Sequence, residues 1–416
     1  MVTEVPAGLV LVNARGVPGS VRIAGDLVAA VGDDVRLRPG DSVIDLAGYV
    51  LLPGFAEPHV HLDKAFTAGR TEPVAADLPA AIAAWYDLRT RLTVADFAAR
   101  ARRGALGYLA SGATALRTHI DMSPALGTTP LAALRDVRAE LAGTVDIGVA
   151  AGAGIPLTGR AGRENLAALR DAIDAGADTV GGAPWLDPDP AAACALLFDL
   201  AADGGLDIDL HVDETTDPGA DTLSVLIRLA GQGFQGRVTA SHAVSLASRP
   251  PAVRQRTIEA AAEAGIAVVT LPQTNLWLQD TGPVPGRGLT AVADLRAAGV
   301  PVAAGADNIR DPFNPLGRPD PLETASLLAA AAHLRPAEAL AAITTDAWAV
   351  LGRPAPAIRP GAPARLVAVA ALDADDAVAG AAPDRIVIRG SQVVARTRAE
   401  HEFPGLPGAT APAHPG

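Results

Sequence analysis

Eight short apolar segments, rich in β-branched residues, recur through the middle of the chain: 51–61, 113–121, 145–151, 178–184, 207–213, 237–242, 266–271 and 301–307. Between them lie runs such as LAALRDAIDAG, PAAACALLFDLAADGG and TIEAAAEAG, each closing on glycine. Short apolar stretches bounded by turn residues read as buried strands, and Ala/Leu-rich runs ending in glycine read as C-capped helices. Alternation of the two buries a parallel sheet on both faces, and eight repeats predict an α/β fold closed into a (β/α)8 TIM barrel. Residues 51–354 have the length of such a barrel with decorations. The long interval 70–111, between the first two strands, has room for an extra helix.

The flanks have a different texture. Residues 1–50 contain LVLVNAR, SVRIAG, LVAAVG and SVIDLAG, and residues 355–403 contain ARLVAVAAL, RIVIRG and SQVVART. Short strands punctuated by glycine and proline at both ends predict one small β-sandwich domain built from 1–50 plus 355–403. Residues 404–416, rich in Pro, Gly and Ala, read as a flexible tail. The start MVTEVPAGLV has no basic region ahead of its apolar run, and no apolar stretch nears the ~18 residues of a membrane span. A soluble, cytoplasmic protein is expected. With 34 Lys+Arg against 46 Asp+Glu the net charge is −12, which argues against nucleic acid or an anionic membrane as partner and leaves a small molecule. The one cysteine, Cys194, excludes an internal disulfide and a thiolate zinc site, and its Ala/Leu surroundings read as core.

Five of the eight histidines fall at or near the C-terminal ends of candidate strands: His59, His61, His119, His211 and His242. His333, His401 and His414 fall elsewhere and receive no role. The interval of 31 residues from His211 to His242 is one strand–helix unit, 65 from His242 to Asp307 is two, and 92 from His119 to His211 is three. The C-terminal strand ends of a barrel form its active site. His59 and His61, two apart on a strand, point the same way and can grip one ion. His59, His61, His211 and Asp307 are therefore the candidate ligands of one divalent metal with an open position for water. Glu214, three residues past His211, suits a proton carrier, and Asp213 a partner for a ligand imidazole. In LRTHID, Arg117 reads as half of a buried Arg–Asp pair and His119 as a substrate neighbour.

Lys64 is the single lysine among 34 basic residues. Its survival among arginines points to a task that needs a compact ammonium. No phosphate-binding G-x4-G-K-[ST] loop, strand-led G-x-G-x-x-G, G-x-S-x-G or H-E-x-x-H is present. The fourth strand (DTVGGAPW) offers nothing to bridge two metals, so a single ion is expected.

PGFAEPHVHLDKAFT, RTHID, LHVDET, TASHA and GADNIRDPFNPLG together resemble the amidohydrolase superfamily, in particular its cytosine deaminase-like branch. The resemblance spans most of the chain with the motifs in order. It implies a metal-dependent hydrolase of C–N bonds that deaminates a small nitrogen heterocycle (pyrimidine, triazine or a similar ring). It also implies His59, His61, His211 and Asp307 as ligands of Fe2+ or Zn2+, with Mn2+ accepted. Catalytic roles would fall to Glu214 as proton shuttle, His242 as stabiliser of the tetrahedral intermediate, and Asp307. Such barrels often form homo-oligomers.

The departures concern the substrate. Where the cytosine deaminases carry a glutamine after the third strand, AAGAGI places Gly152. Asn308 and Phe313 replace an acid and a tryptophan after the eighth. HLDKAFT and DNIRD are instead similar to N-isopropylammelide isopropylaminohydrolase, which lacks a glutamate at the Glu214 position. Lys64, His119, Gly152, Asn308 and Phe313 are thus the expected substrate-binding residues. The alternatives are hydrolysis of a cyclic amide or N-acyl bond, N-alkylamine release from a triazine, and a non-catalytic metal-binding protein.

Overall fold

A computed structural model describes residues 8–71, 77–279, 286–400 and 402. His401, His414 and the expected tail 404–416 lie outside the described residues. Strands β1 (Leu9–Val12), β2 (Ser20–Ala24), β3 (Leu27–Gly32) and β4 (Ser42–Asp45) form one terminal sheet in the order β3-β2-β1-β4. β5 (Tyr49–Pro53) belongs to a second sheet, and β6 (Phe55–Val60) begins the barrel. The barrel continues through β7 (Ala113–Met122), β8 (Asp146–Ala153), β9 (Thr179–Gly182), β10 (Asp207–Val212), β11 (Val238–His242), β12 (Ala267–Thr270) and β13 (Val302–Ala304). β14 (Arg365–Ala370), β15 (Arg385–Arg389) and β16 (Gln392–Thr397) complete the second terminal sheet, ordered β16-β15-β14-β5.

The first predicted strand, 51–61, is two strands. Gly54 divides them: its amide bonds the Arg365 carbonyl at 2.8 Å, and a Cβ there would meet that oxygen at 2.9 Å. The half before it pairs with β14, the half after it with β7. Both faces of the second terminal sheet are covered. Leu51, Leu366, Ala368, Ile386 and Ile388 pack with β1 and β2, whereas Val50, Leu52, Val367, Val369 and Val387 pack with the barrel's helices. That middle position explains why ARLVAVAAL and RIVIRG lack polar alternation.

β6 through β13 pair in parallel, each with its neighbour in sequence. The ends meet at the C-terminal rim, where His61 N–H donates to the Asp307 carbonyl (3.0 Å) and Asp307 N–H to the His59 carbonyl (3.1 Å). The barrel therefore closes through the residues singled out as ligands. The interval 70–111 holds two helices, α1 (Leu78–Arg89), capped by Asp77, and α2 (Val94–Ala110), capped by Thr93. α2 packs on the barrel as an ordinary crossover helix, and α1 is the insertion, lying over the mouth. Among the described residues no helix is long and apolar enough to cross a membrane.

Candidate active site

Short strands end in sharp bends at the barrel's C-terminal rim. Asp213, His242 and Asp307 follow or close β10, β11 and β13 with φ of 46°, 72° and 65°. A left-handed backbone costs a non-glycine residue energy, and such residues cluster where side chains must be aimed. These bends turn His242 and Asp307 inward beside His59, His61 and His211.

The resulting group is compact. One ligand atom from each of His59, His61, His211 and Asp307 lies within 4.8 Å of the others. His61 Nε2 is 3.1 Å from His211 Nε2 and 3.3 Å from Asp307 Oδ1, and His59 Nε2 is 3.6 Å from the same oxygen. His59 Nε2 and Asp307 Oδ1 are buried without a hydrogen-bond partner. Burial holds all three imidazoles well below their usual pKa, so they are neutral with lone pairs to give. Burial also drives the Asp307 carboxyl well above its usual range, with Glu214 and Asp311 adding to the effect. Three neutral nitrogens and one buried carboxyl group, converging on one point, fit a divalent metal.

Asp209 sets the tautomer of His59. Ser241 Oγ donates to Asp209 Oδ1 (2.7 Å) and faces His59 Nδ1 at 2.9 Å, so Nδ1–H points outward and Nε2 toward the centre. Arg117 holds the other oxygen of Asp209 at 2.9 Å. The Arg–Asp pair expected in LRTHID therefore runs to Asp209 across the barrel. Arg117 sits four residues below Asp121 on β7 and cannot reach the mouth. His119 stacks on His59 with ring centres 3.8 Å apart, its Nε2 3.3 Å from Asp209. Asp213 does not support a ligand. Its carboxylate accepts the Thr222 and Leu223 amides (2.9 and 3.0 Å) and anchors the helix Thr222–Ala230.

Two further groups border the candidate metal-binding residues. Among the described residues Glu214 is buried without a charged partner, and desolvation pushes its pKa up to about 8. Its Oε1 lies 3.7 Å from His242 Nδ1. Burial lowers His242 to about 3. Asn275 Nδ2 donates to His242 Nδ1 at 2.9 Å, which leaves the proton on Nε2, 3.9 Å from Asp307 Oδ2.

One cavity lies above this group. His61, Lys64, His119, Gly152, His211, Glu214, Asp307, Asn308 and Phe313 all line it. Lys64 Nζ lies 3.1 Å from His61 Nδ1, 3.3 Å from Asp121 and 3.5 Å from Asp63, over the rings of Trp85 and Phe313. Burial opposes its charge, but Asp121, Asp63 and Asp311 outweigh burial and raise its pKa. Gly152, Ala153 and Gly154 make a wall without polar side chains. Asn308 is largely engaged already, donating to Asp311 (2.9 Å) and accepting from Thr274 (3.3 Å).

The remaining wall was missed in the sequence. α1 brings Leu78, Ile82, Trp85, Tyr86 and Arg89 to the cavity, and Asp121 joins them from the end of β7. Trp85 Nε1 donates to Asp121 Oδ2, and the Arg89 guanidinium lies 3.7 Å above the Tyr86 ring centre. A signal existed: only 14 of 416 residues are aromatic (Trp 4, Tyr 3, Phe 7), yet Trp85 and Tyr86 stand side by side in the insertion. Outside the cavity a wider vestibule runs between α1, Trp185 and Leu278, with Glu214 at the junction.

Comparison with known proteins places this geometry in context. A family model described as the amidohydrolase family matches residues 86–396. A pterin deaminase of Rhizobium rhizogenes strain K84 is 34% identical over 361 residues, covering 85% of this chain and 82% of that protein. The structure of 5-methylcytosine deaminase from Klebsiella pneumoniae with 5-fluorocytosine superposes with a TM-score of 0.86 at 27% identity, covering 95% of this chain and 100% of that one. N-isopropylammelide isopropylaminohydrolase from Burkholderia multivorans superposes with a TM-score of 0.81 at 32% identity, over 94% and 99% of the chains.

Proposed function

The chain belongs to the amidohydrolase family, and on that premise we propose that it deaminates a fused, amine-bearing heterocycle of the pterin class. It is a hydrolase of C–N bonds acting on a small molecule. One observation carries the finer reading: the cavity joins a proton-bearing Glu214 and a metal-ready group to a wall of Gly152, Ala153 and Gly154. That bare wall gives a second fused ring room where a glutamine side chain would stand.

The proposed ligands are His59, His61, His211 and Asp307. Nitrogen-rich sites of this kind suit Zn2+ or Fe2+, with Mn2+ a weaker fit. A divalent ion held by these four residues would supply a water whose pKa is lowered toward neutrality. The chain's own groups do the rest. Asp307 takes a proton from the water as its oxygen bonds the ring carbon bearing the amine. Glu214, protonated below about pH 8, gives its proton to the adjacent ring nitrogen. His242 Nε2–H faces the charge that develops on oxygen. The hydroxyl proton then returns to Glu214, the proton held on Asp307 passes to the amino group, the C–N bond breaks, and ammonia leaves an oxo ring.

N-alkylamine release from a triazine is the second reading, favoured by Lys64 at the cavity wall and by the 32% identity to the isopropylaminohydrolase. Ammonia release from pterin, cytosine and aminotriazines, with alkylamine release from N-isopropylammelide, separates the two. Ammonia from pterin supports deamination of fused rings, and isopropylamine alone would replace it with the second reading.

A further inference from the structure

Asp121 is the acid that the cavity leaves open. Among the described residues three acids line that cavity, and the Asp121 side chain is 29% exposed against 7% for Glu214 and 2% for Asp307. The metal group and the proton carrier engage the other two. Asp121 has no part in the chemistry proposed above.

Its surroundings hold it charged and aimed. Lys64 Nζ lies 3.3 Å from Oδ1, Trp85 Nε1 donates to Oδ2, and Arg89 Nη1 stands 3.6 Å from Oδ2. Among the described residues Arg89 Nε and Nη1 have no hydrogen-bond partner, and the guanidinium, stacked over Tyr86, turns Nη1 toward Asp121. Burial pushes the Asp121 carboxyl up, but Lys64 and Arg89 outweigh burial and keep it below the usual range. An ionised carboxylate only accepts hydrogen bonds. Across the ladder in register, Asp121 faces Gly152, so no side chain on β8 covers it.

We infer that Asp121 determines specificity by accepting a hydrogen bond from a ring N–H of the substrate. The class selected is heterocycles whose lactam or amidine edge carries that proton, and rings alkylated at that nitrogen are refused. The inference rests on the heterocycle reading above and names what that site recognises. The polar reading that a side chain from the third barrel strand could supply is absent here, and β7 supplies it instead. An accepted hydrogen bond to a charged group is worth roughly 10- to 100-fold in affinity.

Calorimetric titration of the metal-loaded full chain tests this with 2,4-dioxopteridine and its 1-methyl and 3-methyl derivatives. These rings carry no exocyclic amine, so binding is read apart from turnover. The wild-type chain is expected to bind one methylated ring roughly 10- to 100-fold more weakly than the parent. Asp121→Asn, which replaces one acceptor oxygen by a donor, is expected to shrink that ratio below about threefold while the parent ring also weakens. A steric or purely structural role would weaken all rings together and leave the ratio standing, which overturns the inference. So does a wild-type chain that binds all three rings equally or none. Should Asp121→Asn fail to fold by circular dichroism, Trp85→Phe removes one of the donors aiming the carboxylate, and an unchanged ratio in that variant overturns the inference too. Selective binding without any ammonia release from pterin would sink the deaminase reading and leave the role of Asp121 intact.

Discussion

The two walls of the cavity are built differently. The candidate metal side comes from the ends of β6, β10, β11 and β13, where His59, His242 and Asp307 are buried, His211 is half-buried, and backbone bends and the Asp209–Ser241 relay hold the group. The recognition side comes from the inserted α1, the bare end of β8 and the loop carrying Phe313, and it is aromatic and partly open. Rigid strand ends fix the atoms proposed to hold a metal and move protons, while an insertion can change without disturbing them. Mutations on the first side should therefore remove chemistry, and those on the second should change which ring binds.

The largest effect is expected at Asp307. Asp307→Ala removes the carboxylate ligand, and ammonia release should fall by about 10³-fold or more, the several kcal/mol that such an ion supplies. Bound metal measured by atomic absorption should fall with it, while the circular dichroism spectrum stays native. Glu214→Gln should lower kcat by roughly 10²- to 10⁴-fold with metal content unchanged. Retained kcat in that variant would move the proton carrier elsewhere. Ser241→Ala breaks the relay to His59, and a competition titration should show metal affinity down roughly 10- to 100-fold.

Glu214 also sets a pH limb. Its folded pKa is raised to about 8, so the proton it is proposed to donate is present below that pH and lost above it. kcat/KM should fall about tenfold per pH unit beyond that point, a limb that Glu214→Gln should erase. The smallest effect is expected on the recognition side. Phe313→Ala should raise KM about two- to tenfold, the worth of one aromatic contact, with kcat little changed. A kcat collapse there would erase the distinction between the walls.

The same contrast governs what the sequence discloses. The barrel strands are legible because parallel strands buried on both faces read as apolar runs. The ligand candidates are legible because strand ends recur at fixed intervals, and His59 and His61 share parity on one strand. Asp121 and Arg117 also share parity on β7, but parity does not tell which lies at the mouth and which lies deep. Asp213 shares parity with His211, yet its left-handed backbone turns the carboxylate onto a neighbouring helix. α1 has no counterpart in the eightfold repeat, so nothing in the periodicity brings Trp85, Tyr86 or Arg89 to the site. Gly54 divides a continuous apolar run between two sheets, a partition that only the pairing with β14 reveals.

The most direct test of a one-ion deaminase is pterin turnover by chelated protein as metal is returned. Ammonia and 2,4-dioxopteridine should appear in equal amounts, vanish on chelation, and recover fully at one equivalent of Zn2+ or Fe2+ per chain. Undiminished turnover after chelation, or recovery that needs two equivalents, would contradict the account.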